Sequence, residues 1–242
     1  MKQNIYDDPG FFDAYSKMPR SINGLKSAGE WEIFREILPA LHGKTILDLG
    51  CGYGWHCQYA SEKGARRVVG IDLSEKMLAK AKKMTTVKNI EYQQCAIEDF
   101  DSHDHVFDII FSSLALHYVS DLGSVFQRAS NLLVSGGTLC YSVEHPVFTS
   151  NESQDWCYKN EEIQHWPLDN YFHEGERFTS FLGTNVVKYH RTVETHIKLL
   201  LTHGFEITAL LEPTPPKTLI EKMGWESELR RPMMLIIKAV KK

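Results

Sequence analysis

Short apolar runs alternate along this chain with stretches in which apolar residues recur every three or four positions. Runs of the first kind read as strands and the second as helices. The spacing predicts strands over 45–49, 68–73, 90–96, 107–115 and 138–144. Between them it predicts a helix over about 55–63, one through Met77, Leu78, Ala81 and Met84, and one through Leu122, Val125, Phe126, Ala129, Leu132 and Leu133. Ser74 is a good N-cap for the second helix, with Glu75 in its first turn. Asp108-Ile109-Ile110-Phe111 is nearly continuous, as in a strand covered on both faces. An earlier helix over 28–38 offers Trp31, Phe34 and Leu38 to the core. This alternation predicts an α/β fold, a doubly wound parallel sheet with right-handed crossovers.

The rhythm breaks over 146–189, which holds Trp156, Tyr158, Trp166, Tyr171, Phe172, Phe178 and Phe181 without a helical period. It resumes with a helix over 192–203 closed by Gly204 and a strand over 205–212. Pro213-Thr214-Pro215-Pro216 and a short polar stretch lead to a last strand over 233–240. No repeat or linker divides the chain, so 1–242 reads as a single domain. Within it, 1–40 forms a helical cap, 41–145 the core, 146–190 an insertion, and 191–242 the closing helix and strands.

The chemistry is concentrated at two strand ends. The first strand runs into Asp48-Leu49-Gly50-Cys51-Gly52-Tyr53-Gly54, and eighteen residues past Gly54 the second ends at Asp72. The glycines let the backbone turn and approach a ligand closely. Asp72 is placed to accept hydrogen bonds from the two hydroxyls of a ribose. A dinucleotide fingerprint has glycines at positions one, three and six, with a pyrophosphate on the helix N-terminus. Here they stand at one, three and five, behind an acid that repels a pyrophosphate and suits a cationic amino group. The heptapeptide 48–54 resembles motif I of the class I S-adenosylmethionine-dependent methyltransferases. That resemblance implies a mostly parallel seven-stranded sheet of order 3-2-1-4-5-7-6 with the last strand antiparallel, S-adenosylmethionine as cofactor, and methyl transfer. It covers most of residues 40–145 by motif and the remainder only by strand rhythm.

Ligands of such sheets bind beyond the carboxyl ends of the strands where the strand order reverses. Asp48 and the backbone of Gly50, Cys51, Gly52 and Gly54 are therefore expected at the methionine part, and Asp72 at the ribose with Leu73 beside the adenine. The family often carries an acid after the third strand; Ala96 stands there, leaving the Ile97 N–H and Glu98 as candidates for the adenine edge. Ser112, Ser113 and Leu114 are expected on the sulfonium side. A general base is needed only if the acceptor must lose a proton. His117, His145 and His190 are the candidates, with His145 first because it ends a strand beside Pro146. Tyr15 and Arg20 precede the first core helix and are candidate acceptor contacts. The aromatic insertion reads either as a lid over the acceptor or as a satellite core or dimer contact.

Composition narrows the partners. A net charge of −4 over 242 residues argues against a surface directed at nucleic acid. No apolar leader or membrane-length run is visible, and five cysteines lack metal-ligand spacing. Ser112-Ser113-Leu114-Ala115 is unlike the Asn/Asp-Pro-Pro-aromatic sequence of enzymes that methylate base nitrogens. These features predict a cytoplasmic, metal-free methyltransferase acting on an oxygen or nitrogen of a small molecule. The rivals are an RNA or protein methyltransferase of the same fold, a non-catalytic cofactor-binding regulator, and a nicotinamide-dependent oxidoreductase.

Overall fold

The structure, a computed structural model, describes residues 2–102 and 106–242. Strand β1 (Thr45–Leu49) is buried along its whole length and lies at the centre of a seven-stranded sheet. On one side follow β2 (Arg67–Asp72) and the edge strand β3 (Ile90–Gln94). On the other lie β4 (Phe107–Ser113) and β5 (Leu133–Glu144). The segment after β5 holds two antiparallel hairpins, β6 (Cys157–Lys159) with β7 (Glu162–His165), and β8 (Gly175–Phe181) with β9 (Thr184–His190). Strands β10 (Phe205–Leu211) and β11 (Met234–Lys241) complete the sheet, in the order β3-β2-β1-β4-β5-β11-β10. Strand β11 runs antiparallel to both neighbours and the other contacts of the sheet are parallel. This is the strand order that the resemblance implies.

The helices in chain order are α1 (Pro9–Ser16), α2 (Pro19–Asn23), α3 (Trp31–Ile37), α4 (Trp55–Glu62), α5 (Glu75–Met84), α6 (Leu122–Leu132), α7 (Pro146–Thr149), α8 (Val193–Thr202) and α9 (Lys217–Met223). Alternate residues of each strand face opposite layers. Leu47, Val69, Ile110 and Tyr141 pack with Val125, Phe126 and Ala129 of α6 and Leu200 of α8. Ile46, Val68, Ile109 and Phe111 pack with Trp31 and Phe34 of α3 and with Cys57 and Ala60 of α4. Each such fully buried aliphatic or aromatic side chain contributes about 1.5–3 kcal/mol.

Several boundaries differ from the sequence expectation for local reasons. Helix α3 begins at Trp31, and at its other end Leu38 precedes Pro39 and is extended at φ −62°, ψ 140°. Strand β5 starts at Leu133 because that residue pairs with Phe107, with a register shift before Thr138. The polar stretch before the last strand is helix α9, which starts after Pro216 and stops at Gly224 with φ +66°, an arrangement of proline before and glycine after a helix that favours both ends. No helix among the described residues is long and apolar enough to cross a membrane.

Candidate functional site

The chain leaves β1, winds outward through β2 and β3, and returns to β4 on the other side of β1, so the strand order reverses between β1 and β4. There the turn 50–54 is tied down by its own backbone. The Gly50 and Cys51 amides donate to the Ile71 carbonyl at 2.9 Å each, and the Gly54 amide donates to the Cys51 carbonyl at 2.8 Å.

The three glycines all have left-handed φ, +76°, +53° and +75°, but their surroundings differ. A Cβ on Gly50 would stand 2.5 Å from the Ala115 Cβ, and one on Gly54 would stand 2.1 Å from the Tyr92 hydroxyl. Gly52 has nothing within 4 Å of that position. Gly50 and Gly54 thus let the turn pack on protein, while Gly52 keeps open a space that a ligand can use. Gly70 on β2 belongs to the same construction, because Cys57 Sγ lies 2.8 Å from where its Cβ would be.

Asp72 faces this space. Its two carboxylate oxygens accept from the Gly52 and Ser74 amides at 2.9 Å each. Burial raises its pKa, against the pull of those amides. Asp48 lies beneath the turn, 1% exposed and not on the cavity wall. Its Oδ2 accepts from Cys57 Sγ at 3.2 Å, and its Oδ1 has no partner. Burial pushes this carboxyl up to about 7.

A cavity of about 660 Å³ opens from Gly52, within the usual range for sites that enclose small ligands. Gly50, Cys51, Asp72, Leu73, Ala96, Ile97, Glu98, Ser113 and Leu114, all singled out in the sequence, line it, and so do Tyr15, Arg20 and His117. Gly54 and Ser112 do not. Ser112 instead donates to the Leu49 carbonyl at 2.7 Å. Leu114 has φ +52°, a conformation costly for a residue with a Cβ. The Ser142 carbonyl and hydroxyl hold it by accepting from its amide at 2.9 and 3.2 Å.

The three histidines are separated. His117, in the 3-10 turn Leu116–Tyr118, is on the cavity wall with Nδ1 unpartnered. Burial pushes its pKa down to about 4, although the Glu144 charge opposes the shift. His145 is not on the wall. Its Nδ1 accepts from the Val147 amide at 3.0 Å, capping α7, and its Nε2 lies 2.8 Å from Glu212. His190 is also elsewhere, with Nδ1 2.7 Å from Thr149 Oγ1 and Nε2 2.9 Å from the Tyr171 carbonyl.

The insertion divides in two. Phe181, Val187, Tyr189 and Glu176 of the β8–β9 hairpin reach the cavity. Trp156 and Trp166 pack instead with Phe148 around the Arg231 guanidinium, which lies 4.2 Å from the Trp166 ring centre. The segment before α1 crosses the mouth. Gln3 Oε1 accepts from the Val187 amide at 2.7 Å, and Asp7 accepts from Ser74 Oγ at 2.6 Å.

Wall residues that the sequence did not single out include Tyr6, Tyr118, His56 and Glu144. Glu144 ends β5 immediately before His145, and that strand-end position was the available signal for it. Burial alone would raise its carboxyl, but His117, the Lys188 ammonium 2.6 Å away and a hydrogen bond from Gln154 hold it below the ordinary range. Arg20 pairs with the buried Glu30. Among the described residues, no group of three or more His, Cys, Asp or Glu side chains is placed to hold a metal.

Open space at Gly52, a strand-end carboxylate facing it, and an unpartnered buried carboxylate oxygen behind it fit a ligand with ribose hydroxyls and a positive charge. The comparisons with known proteins agree with this chemistry. A family profile described as a methyltransferase domain matches residues 47–141. A solved Listeria monocytogenes structure, of a protein assigned as an S-adenosylmethionine dependent methyltransferase, is 46% identical, with 89% of this chain and 99% of that one covered and a TM-score of 0.82. A Mesorhizobium loti S-adenosylmethionine dependent methyltransferase is 39% identical, with 90% and 100% covered and a TM-score of 0.83. An uncharacterized Haemophilus influenzae protein is 34% identical, with 99% of this chain and 98% of that one covered. Curated relatives of which the chain spans about half the length include a protein arginine N-methyltransferase of Dictyostelium discoideum and a ubiquinone biosynthesis O-methyltransferase of Neisseria meningitidis. With full-length relatives of this kind, and the glycine turn and paired strand-end acids in place, the chain belongs to the S-adenosylmethionine-dependent methyltransferases.

Proposed function

We propose that this enzyme methylates an oxygen or nitrogen of a small-molecule acceptor in the cytoplasm, within the cavity beyond Gly52. The observation that carries the reading is the roof. The segment before α1 and the β8–β9 hairpin meet over the cavity through Gln3 and Val187. A roofed cavity admits a compact molecule more readily than a folded RNA or a protein surface.

Asp72 would hold the ribose hydroxyls, and the backbone of Gly50, Cys51 and Gly52 the methionine part. Asp48 would balance its amino group from beneath the turn. Leu73, Ala96, Ile97 and Glu98 would border the adenine, and Ser113 and Leu114 the sulfur. Bound S-adenosylmethionine supplies an electrophilic methyl group on a cationic sulfur. The chain's part is alignment: it must hold the acceptor lone pair in line with the methyl–sulfur bond, and positioning of that kind is worth about 7–11 kcal/mol. Tyr15 and Arg20 are the proposed acceptor contacts. Of the three candidate histidines His117 is the one on the wall and is proposed to touch the acceptor, while His145 and His190 lie off the wall.

Incubating the enzyme with methyl-labelled S-adenosylmethionine and separated pools of metabolites, tRNA, rRNA and protein tests this reading. Label should enter the metabolite pool, and label confined to macromolecules would overturn it.

A further inference from the structure

Residues 2–7 form a strap over the cofactor end of the cavity, and Lys2, Gln3, Asn4, Ile5 and Tyr6 line the space beneath it. Leu73 and Glu98 border the place proposed for the adenine, and the strap is fastened beside both. Lys2 pairs with Asp99 and lies 4.0 Å from Glu98. The Asn4 side-chain amide donates to the Leu73 carbonyl at 3.5 Å. Gln3 ties the same segment to β9 by accepting from the Val187 amide.

Asp7 closes the strap on α5. Its Oδ1 accepts from Ser74 Oγ at 2.6 Å and from the Lys76 amide at 3.1 Å. Its Oδ2 accepts from Asn4 Nδ2 at 2.6 Å and from the Glu75 amide at 3.3 Å. Burial alone would raise this carboxyl, but those bonds hold it below the ordinary carboxylate range. The first turn of a helix favours an anion, yet α5 already carries its own cap in Ser74, whose hydroxyl accepts from the Met77 amide. What Asp7 adds is the attachment of the strap. Ser74 also joins that attachment to the ribose acid, because its amide donates to Asp72 Oδ1 at 2.9 Å while its hydroxyl donates to Asp7.

We propose that residues 2–7 are a gate for the cofactor and that Asp7 is its latch, a positioning residue that acts through Ser74 on Asp72. A nucleoside seated between Leu73 and Glu98 lies under residues 2–5 and passes in or out when they lift. The fastenings suit that motion. They are side-chain hydrogen bonds and an ion pair, together with the edge-on packing of Tyr6 against Phe11 and Tyr15 at 5.1 and 5.2 Å. Contacts of this kind open locally while the sheet stays folded. The gate rests on the cofactor crevice and is independent of the acceptor.

The test is kinetic and uses the full chain with S-adenosylhomocysteine. Release of tritium-labelled ligand into an unlabelled chase gives the dissociation rate, and stopped-flow tryptophan fluorescence gives the association rate, with Trp55 on the cavity wall as reporter. Asp7→Ala should raise both rates about tenfold. Gln3→Ala, at an exposed position, should raise both by a smaller factor, and it carries the test if Asp7→Ala does not fold. Asp8→Ala removes the neighbouring cap of α1 and should leave both rates unchanged. Unaltered rates in a folded Asp7→Ala, faster dissociation without faster association, or an equal effect of Asp8→Ala would overturn the gate. Failure of the wild type to bind the labelled ligand would instead overturn the cofactor crevice on which it rests.

Discussion

Cys57 donates its thiol hydrogen to Asp48 across 3.2 Å, in a pocket where Asp48 is 1% exposed and its second oxygen has no partner. The motif acid of this enzyme is therefore a buried carboxyl under the glycine turn, with Cys51, Cys57, Asp72 and Tyr92 as its titratable neighbours and no cation among them.

That arrangement sets a pH dependence of stability. Burial raises the Asp48 pKa from 3.8 to about 7, so the folded chain keeps a proton that the unfolded chain has released. Stability is complete below the unfolded pKa and falls as pH rises through about 7, by up to about 4 kcal/mol from this one group. Asp48→Asn removes the ionisation. Its melting temperature, followed from pH 5 to 8, should gain on the wild type as pH rises; a gap that narrows or reverses with rising pH would contradict the burial argument.

Gly50 and Gly52 should respond differently to alanine. The added methyl at position 50 meets Ala115 and at position 52 meets open space. Both substitutions carry the left-handed penalty of about 1–2 kcal/mol. Gly50→Ala should add a steric cost and lower the melting temperature further, whereas Gly52→Ala should fold well but bind cofactor at least tenfold more weakly. Equal losses of affinity at equal stability would remove the distinction.

Truncating His117 and His145 should separate turnover from folding. His117→Ala changes the cavity wall and should lower kcat with cofactor affinity intact. His145→Ala removes the cap of α7 and should cost about 1 kcal/mol of stability, with kcat little changed. The reverse pattern would return the catalytic role to His145.

The Glu144–Lys188 pair ties β9 to the end of β5. Lys188→Met leaves a carboxylate buried without its cation and should cost about 3–5 kcal/mol. Adding Glu144→Gln should recover much of that loss, which a double-mutant cycle in denaturant would measure; additive losses would mean that the two residues act independently.

The sheet was legible because its signals are local. Residues 45–49 and 68–72 are apolar runs closed by glycine or acid, 107–111 is one closed by serine, and Ser74 caps α5 as its sequence suggests, accepting from the Met77 amide at 3.1 Å. The β8–β9 hairpin was not legible, because its alternation is inverted. Arg177, Thr179, Lys188 and His190 are buried there while Phe178 is 61% exposed, so a search for apolar faces passes over it. The choice among histidines was hidden for a different reason. His117 and His145 both follow strand ends, and only the path of the next turn decides which ring reaches the cavity. The 3-10 turn carries His117 to the wall, whereas the start of α7 engages His145 in capping. Tyr6 reaches the site from a segment too short to show any periodicity.

Calorimetric titration of S-adenosylmethionine into the wild-type enzyme and Asp72→Ala, with a melting curve to confirm that the variant is folded, addresses the central claim that this crevice holds the cofactor through its strand-end carboxylate. One saturable site per chain should appear, weakened in the variant by about 1–3 kcal/mol, with no heat from a nicotinamide dinucleotide. Equal affinity in the folded variant, or heat from the dinucleotide alone, would contradict it.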